Sequence, residues 1–372
     1  MSRVISPVLR RLDVTNRSGT WNQSERRHHS RAGEGLQRSL LIRVEIHHTS
    51  GRTEQHRDDT VATGDSPGNA VVAIHVQHVH TTHSFRNSPP FGRVSQSTDT
   101  FLVPHPTREV YSHGHHNSVL RSHRWRTAEN SATYLLPRLK PADRVLDVGI
   151  GPGTITIDLA GRLPAGSVVG VDFASAAVVA TQELANARSV RNLRLLVGDV
   201  YRLGFSDASF DVVHAHQLLQ HLADPVAALR ELRRVCVSGG LVAVRDADYA
   251  AMTWHPSSAA LTRWLALYHE VARSNGGEPD AGRRLLSWAH AAGFSAVDSS
   301  ASAWCFATPA DLAWWSDTWA ERLSQSAFAR QAVERGLSEP RELAQLAEGW
   351  RRWAELPSAW FAVLHGEILC SC

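Results

Sequence analysis

The stretch 'RVLDVGIGPGTITIDLAGRL', residues 144–163, decides the fold of this chain. A short apolar run leads directly into Gly149, Gly151 and Gly153, and those lead into a helix-forming segment over 154–163. Glycine is required where the backbone turns sharply and where a ligand must approach without a Cβ in its way. Strand, glycine loop and helix in that order open a nucleotide-type α/β unit. The dinucleotide fingerprint would place its third glycine where Thr154 stands. This loop is instead the closer G-x-G-x-G.

Downstream the units repeat. 'SVVGVDF' (167–173), 'LRLLVGDV' (193–200), 'FDVVHAH' (210–216) and 'GLVAVRDAD' (240–248) are predicted strands, separated by helices over 175–188 and 225–235. Strands alternating with helices of this length predict a doubly wound, mostly parallel sheet with right-handed crossovers. Past Asp248 the regularity loosens, with helices predicted at 258–272, 282–292, 309–330 and 340–354. Strands at 295–306 and 359–369 complete a seven-stranded α/β sheet with a helical cap. Upstream, 'NSVLRSHRWRTAENSATYLLPRLK' (117–140) carries Val119, Leu120, Ala128, Ala132, Leu135 and Leu136 on roughly one helical face. The expected organisation is a cap helix in 110–142, a cofactor-binding core in 143–250, and a C-terminal part, 251–372, holding cap helices and the last two strands.

Residues 1–109 differ in kind. They hold 10 of the 21 histidines but few large aliphatics, so they are expected to be disordered or an extension outside the functional protein. No methionine separates Met1 from Met252, so a later start would need another codon, at Val103 or Val110. His75, His78, His80 and His83 lack a carboxylate or cysteine to complete a metal set, and no metal is expected.

A formal charge of +3 does not call for nucleic acid. No run of about 18 apolar residues exists to span a membrane, and four scattered cysteines suit reduced thiols in the cytoplasm. Ten of the twelve tryptophans fall from Trp254 to Trp360. Those in 'DLAWWSDTWAERL' (311–323) are expected either to pack helices or to wall a pocket for an apolar or aromatic molecule.

Two acids stand at the carboxyl ends of strands two and three, the edge where open α/β sheets bind ligands. Asp172 can accept from both hydroxyls of a ribose diol. Asp199 can accept from an adenine amino group while the Val200 N–H meets a ring nitrogen.

From about Tyr111 onward the chain resembles the class I S-adenosylmethionine-dependent methyltransferases, of the group related to the ubiquinone and menaquinone biosynthesis methyltransferases. 'LDVGIGPG' (146–153) is similar to their motif I, 'VVGVDF' (168–173) to the acidic loop, and 'LLVGDV' (195–200) to the adenine loop. 'FDVVHAHQLLQHLADPVAALRELRRVCVSGG' (210–240) resembles their fourth strand and following helix. Ile150 departs from the smaller residue common there. The resemblance implies S-adenosylmethionine as cofactor. Asp147, Gly149, Gly151 and Gly153 would hold its methionine end, Asp172 with Phe173 the ribose, and Asp199 with Val200 the adenine. The segment 215–221, including His216, would line the wall beside the methyl.

Methyl transfer from a sulfonium is accelerated mainly by holding the nucleophile in line. An oxygen or nitrogen nucleophile must also lose a proton, for which histidine suits. His216 and His221 are the chosen catalytic candidates, with His214, His113, His115 and His116 as alternatives. His214 and His216 are expected on opposite faces of the strand, one of them packing. The acceptor is expected to be a small molecule. The rival functions are an aminopropyl-transferring synthase, with Asp246 and Asp248 for a polyamine, and a non-catalytic cofactor-binding protein. An RNA or protein methyltransferase is disfavoured by the lack of a basic patch outside 1–109.

Overall fold

The Val145, Leu146 and Val148 side chains of β1 (Arg144–Val148) are buried from both faces of a sheet. A computed structural model describes residues 117–372 of the chain. The readings made for 1–109, and for His113, His115 and His116, lie outside the described residues. β1 pairs in parallel with β2 (Ser167–Asp172) on one edge and with β4 (Phe210–His216) on the other. β3 (Leu193–Val197) follows beyond β2, and β5 (Cys236–Ala247) beyond β4. The chain therefore builds outward from β1, returns, and builds the other way. The switch lies between β1 and β4, where ligands of open α/β sheets bind.

β8 (Trp360–Ser371) runs antiparallel to β5, and β7 (Val297–Phe306) pairs antiparallel with β8 along its whole length. The seven expected strands are joined by an eighth of three residues, β6 (Thr253–His255). It pairs with Trp360–Ala362 on the edge of β8 that β7 leaves open, and so extends the line of β5.

One face is covered by α3 (Thr154–Gly161), with Leu159 and Leu163 packing on Val145, Val212 and Ala243. The other is covered by α5 (Pro225–Val235) and α7 (Leu285–Ala291) over Leu146, Val213 and Val244. α4 (Ser175–Ala187) crosses from β2 to β3.

Two expected helices are broken, each by a local cap. The N-terminal segment is α1 (Asn117–Arg124) followed by a short α2 (Ala128–Ser131). Thr127 starts α2 by accepting the Asn130 N–H while the Asn130 side chain accepts the Thr127 N–H, a reciprocal cap that a continuous helix would forbid. The 309–330 helix divides into α8 (Pro309–Gln325) and α9 (Ala327–Glu334) at Ser326, which is extended and caps Phe328. With α6 (Ala259–Ser274) and α10 (Pro340–Ala354) these helices form a cap whose core is aromatic, centred on Trp264, Trp319, Trp350 and Phe361. Among the described residues no helix is long and apolar enough to cross a membrane.

Candidate active site

The three glycines of the loop after β1 all have left-handed backbones, at φ 76°, 52° and 76°. Their reasons differ. A Cβ on Gly153 would lie 2.1 Å from Thr181 Cγ2, so Gly153 is demanded by the approach of α4. A Cβ on Gly149 would touch Leu218 at 3.0 Å, in the segment after β4. Gly151 alone faces space, with only His123 Nδ1 at 3.8 Å. Ile150 is buried and turned toward Gly170.

The loop's N–H groups point into the protein. Gly149 and Ile150 donate to Val171 O, Gly151 to Asp172 Oδ2 at 2.9 Å, and Gly153 to Ile150 O. Pro152 has no N–H, so 149–153 offers no outward amide to a phosphate. A diphosphate needs such donors. A nucleoside carrying a thioether or sulfonium does not. The cradle fits the second.

Asp147 is 3% exposed, and both its oxygens are occupied. Oδ1 meets His214 Nδ1 at 2.7 Å and Oδ2 accepts from Thr156 Oγ1 at 2.6 Å. It braces the loop from beneath. Asp172 closes β2, accepting from Gly151 and from the Ala174 N–H at 2.9 Å. A carboxylate has about four lone-pair sites, so acceptor capacity for a diol remains. Phe173 beside it is 73% exposed, an unusual position for so large an apolar ring. Asp199 accepts the Tyr201 N–H through one oxygen, and Val200 is buried. Gly149, Gly151, Asp172, Phe173, Asp199 and Val200 thus gather along the carboxyl ends of three adjacent parallel strands.

His214 and His216 do not divide between faces. Residues two apart on a strand share a face, and both lie on the α3 side. They differ in depth along the strand. His214 is anchored to Asp147, whereas His216 stands at the open end with neither ring nitrogen bonded to a described residue. Its ring lies 6.0 Å from Trp304 and 6.3 Å from His365. Burial, then the Arg126 and Arg245 charges, hold the His216 pKa well below the usual imidazole value. Burial and Arg126 bring His221 down to about 3. Both rings are neutral at neutral pH.

Gln217 lies in the 215–221 segment expected beside the methyl, though it was not singled out there. It follows His216 with a left-handed backbone, φ 51°, uncommon for a residue with a Cβ. Its N–H donates to Arg245 O at 2.7 Å. Its Nε2 donates to His365 Nε2 at 2.8 Å, while His365 Nδ1 donates to Val363 O.

Beyond the ends of β4 and β5 lies a cavity of about 30 Å³, room for a water molecule or two. Trp125, Trp304, Trp314 and Trp315 wall it, the last two from the Trp-rich helix, whose Trp319 is wholly core. Gln217, Gln220 and His221 line the sheet side, and Arg126 and Arg322 the cap side. No Asp or Glu is among the described lining residues.

Asp248, expected to be available to a polyamine, is committed to Arg283 at 2.6 Å. Asp246 is fully buried, with one oxygen accepting the Gln220 N–H and the other unpartnered among the described residues. Its burial lifts the carboxyl to about 7. A raised carboxyl pKa means the folded state holds its proton more tightly than the unfolded state. This group therefore costs stability increasingly as pH rises from about 4 to 7. Asp246→Asn is expected to raise the melting temperature by a few degrees at pH 8, with the gain shrinking toward zero near pH 4. His216, His221 and His365, whose pKa values burial lowers, act in the opposite sense, their contribution to stability being lost as pH falls below about 6.5. Melting curves of both proteins across that range check the difference, which an equal gain at all pH values would contradict.

A family model for a methyltransferase domain matches residues 139–303. An uncharacterised methyltransferase of Schizosaccharomyces pombe is 35% identical over 276 residues, covering 71% of this chain and 97% of that one. The "Probable methyltransferase ltbC" of Aspergillus luteorubrus is 28% identical, covering 70% of this chain and 96% of its own. The demethylmenaquinone methyltransferase of Roseiflexus castenholzii is 38% identical over 120 residues, covering 32% of this chain and 47% of its own. The chain belongs to the class I S-adenosylmethionine-dependent methyltransferases. It is an enzyme of that family, and S-adenosylmethionine is its cofactor.

Proposed function

We propose that the protein transfers a methyl group to a small, apolar or aromatic acceptor held beneath the tryptophan-walled cap. One observation carries this: the segment after β4 touches both halves of the site. Leu218 packs on Gly149 of the loop, and Gln217 lines the cavity one residue earlier. Cofactor and acceptor thereby meet across a single turn of backbone.

The cofactor supplies a sulfonium-activated methyl, open to in-line displacement. The chain's own residues bind, orient and exclude water. Asp172 accepts from the ribose diol, Phe173 covers a face of the nucleoside, and Asp199 with the Val200 N–H meets the adenine edge. Gly149 and Gly151 admit the methionine end, with Gly153 and Asp147 keeping the loop in shape from behind. The closed cap keeps bulk water from the transfer, and an acceptor must widen it to enter. His221 lines this region and His216 stands behind it, 6.0 Å from Trp304, both as neutral rings able to take a proton. Their depressed pKa values make them weak bases, so the rate rests mainly on alignment.

Titration calorimetry tests the cofactor half. S-adenosylhomocysteine should bind and NAD should not. Asp172→Ala should weaken the first by about 1–3 kcal/mol, the worth of hydrogen bonds to a charged acceptor. Unchanged affinity in that variant would put the ribose elsewhere. Turnover of a labelled methyl group into a metabolite extract tests the acceptor half.

A further inference from the structure

We propose that Gln217 selects the acceptor by its reacting atom: the Gln217 side-chain carbonyl receives a hydrogen carried on that atom, so that the methyl goes to a hydroxyl or an N–H. This rests on the methyltransferase function proposed above and adds the chemical class of the nucleophile. Gln217 stands where the two halves of the site meet. It is one residue before the Leu218 that packs on Gly149, and it lines the cavity. Its backbone is left-handed, at φ 51°, and is held by the bond from its N–H to Arg245 O. A residue with a Cβ keeps such an angle only where its surroundings impose it, and such positions cluster at functional sites.

The direction of the amide is fixed from behind. The side chain reaches away from the glycine loop, past β5 to His365 of β8, with its Nε2 2.8 Å from His365 Nε2. Two nitrogens at that distance need one donor and one acceptor. His365 Nδ1 is spent on Val363 O at 3.1 Å, and a carbonyl only accepts, so Nδ1 carries the hydrogen. Burial, followed by the Arg245 and Arg126 charges, holds the His365 pKa well below the usual imidazole value. The ring is therefore neutral and its Nε2 bare, and the NH2 of Gln217 must be the group that meets it. Turning the amide over would set Oε1 against that bare nitrogen, acceptor against acceptor. Oε1 is thus the end left over, and no described residue donates to it. The cavity that Gln217 lines, about 30 Å³, has the size of a hydroxyl or amino group. A thiol is a weak donor and a nucleophilic carbon offers none, so neither is chosen by a carbonyl. With its hydrogen on Oε1, the reacting atom has a lone pair fixed in direction, as in-line displacement requires. As its bond to the methyl carbon forms, the S–CH3 pair returns to sulfur, and the hydrogen, now acidic, leaves to solvent with the product.

The full chain is incubated with S-adenosylmethionine bearing an isotope-labelled methyl and with a metabolite extract, and NMR of the labelled product identifies the atom that carries the methyl. That atom should be oxygen or nitrogen; a methyl on carbon or sulfur overturns the proposal. With that product's precursor as acceptor, Gln217→Asn should lower kcat about tenfold or more and leave S-adenosylhomocysteine affinity unchanged. Asparagine tolerates the left-handed backbone and keeps an amide, but its side chain is one carbon too short to bridge to His365. His365→Phe should lower kcat by a smaller factor in the wild-type chain and by nothing further in Gln217→Asn, because it acts only through the amide. An unchanged kcat in Gln217→Asn, or an equal loss from His365→Phe in both chains, overturns the proposal. A loss of S-adenosylhomocysteine affinity in Gln217→Asn also overturns it, by giving Oε1 to the cofactor's ammonium group. The atom methylated by the wild-type chain decides the question even if a variant folds poorly. Failure of the wild-type chain to bind S-adenosylhomocysteine, or to label any product, would instead sink the methyltransferase function beneath it.

Discussion

Glu367→Ala is expected to lower folding stability by about 3–5 kcal/mol, whereas replacing its partner as well, in Arg245→Met/Glu367→Leu, should recover most of that loss. The two side chains face each other across β5 and β8, 1% and 5% exposed, with Nε to Oε1 at 3.1 Å. Ser302 Oγ accepts from Arg245 and donates to Glu367, and Ser300 donates to the second carboxylate oxygen. Burial lowers the Arg245 pKa to about 10, which still leaves it charged at pH 7. Removing the carboxylate therefore strands a buried cation. Removing both charges removes the desolvation cost along with the attraction. Urea unfolding of wild type, both single variants and the double variant closes the cycle. A double variant no better than Glu367→Ala would mean that the pair itself, and not the stranded charge, supplies the stability. Arg245 also lies 5.0 Å from the Trp304 ring, so the single variant should disturb the pocket wall too.

Trp264→Ala is expected to cost a similar amount, about 3–5 kcal/mol, through the cavity it leaves. Trp264 of α6 has no exposed surface and meets Trp319 of α8 at 4.4 Å and Trp350 of α10 at 4.8 Å, both edge-on. Three cap helices thus share one ring, and no neighbour can fill its place without leaving another. Trp264→Phe retains part of the contact area and should lose distinctly less. Where the alanine variant remains folded, its affinity for S-adenosylhomocysteine should stay close to wild type, because the glycine loop proposed to hold the cofactor packs against Thr181 of α4 and not against α6. Thermal melts and calorimetry on the same samples separate the two effects. A large loss of cofactor affinity with little loss of stability would contradict the division.

The first five strands were legible because their signal is local. An apolar run of five to seven residues, a turn and a helix start are all written in consecutive residues, and α5 opens at Pro225 behind the Asp224 cap as such patterns require. The glycine loop and the two strand-end acids were legible for the same reason. What escaped was set by neighbours distant in sequence or by single backbone angles. The chain restarts at Thr127 and at Ser326 through side-chain caps within stretches whose apolar period runs on. β6 exists because β8 has an open edge beside it. Asp147 carries the expected acid of a ligand motif, yet His214 and Thr156, 67 and 9 residues away, claim both its oxygens. The left-handed turn at Gln217 and the raised carboxyl of Asp246 have no sequence pattern at all. The supposed parting of His214 and His216 was an error of period, since a strand repeats every two residues.

The inward-turned amides of residues 149–153 decide what this site ignores. In a cell, nucleotides bearing phosphates greatly outnumber any nucleoside that bears none, and all share the same adenine and ribose. A loop with outward N–H groups would collect them. This one spends its N–H groups on Val171 O, Asp172 Oδ2 and Ile150 O, and holds the Asp172 carboxylate beside Gly151, where a second negative charge is unwelcome. Discrimination against the abundant competitors is thereby built into the direction of four backbone bonds, and it needs no side chain reserved for the purpose.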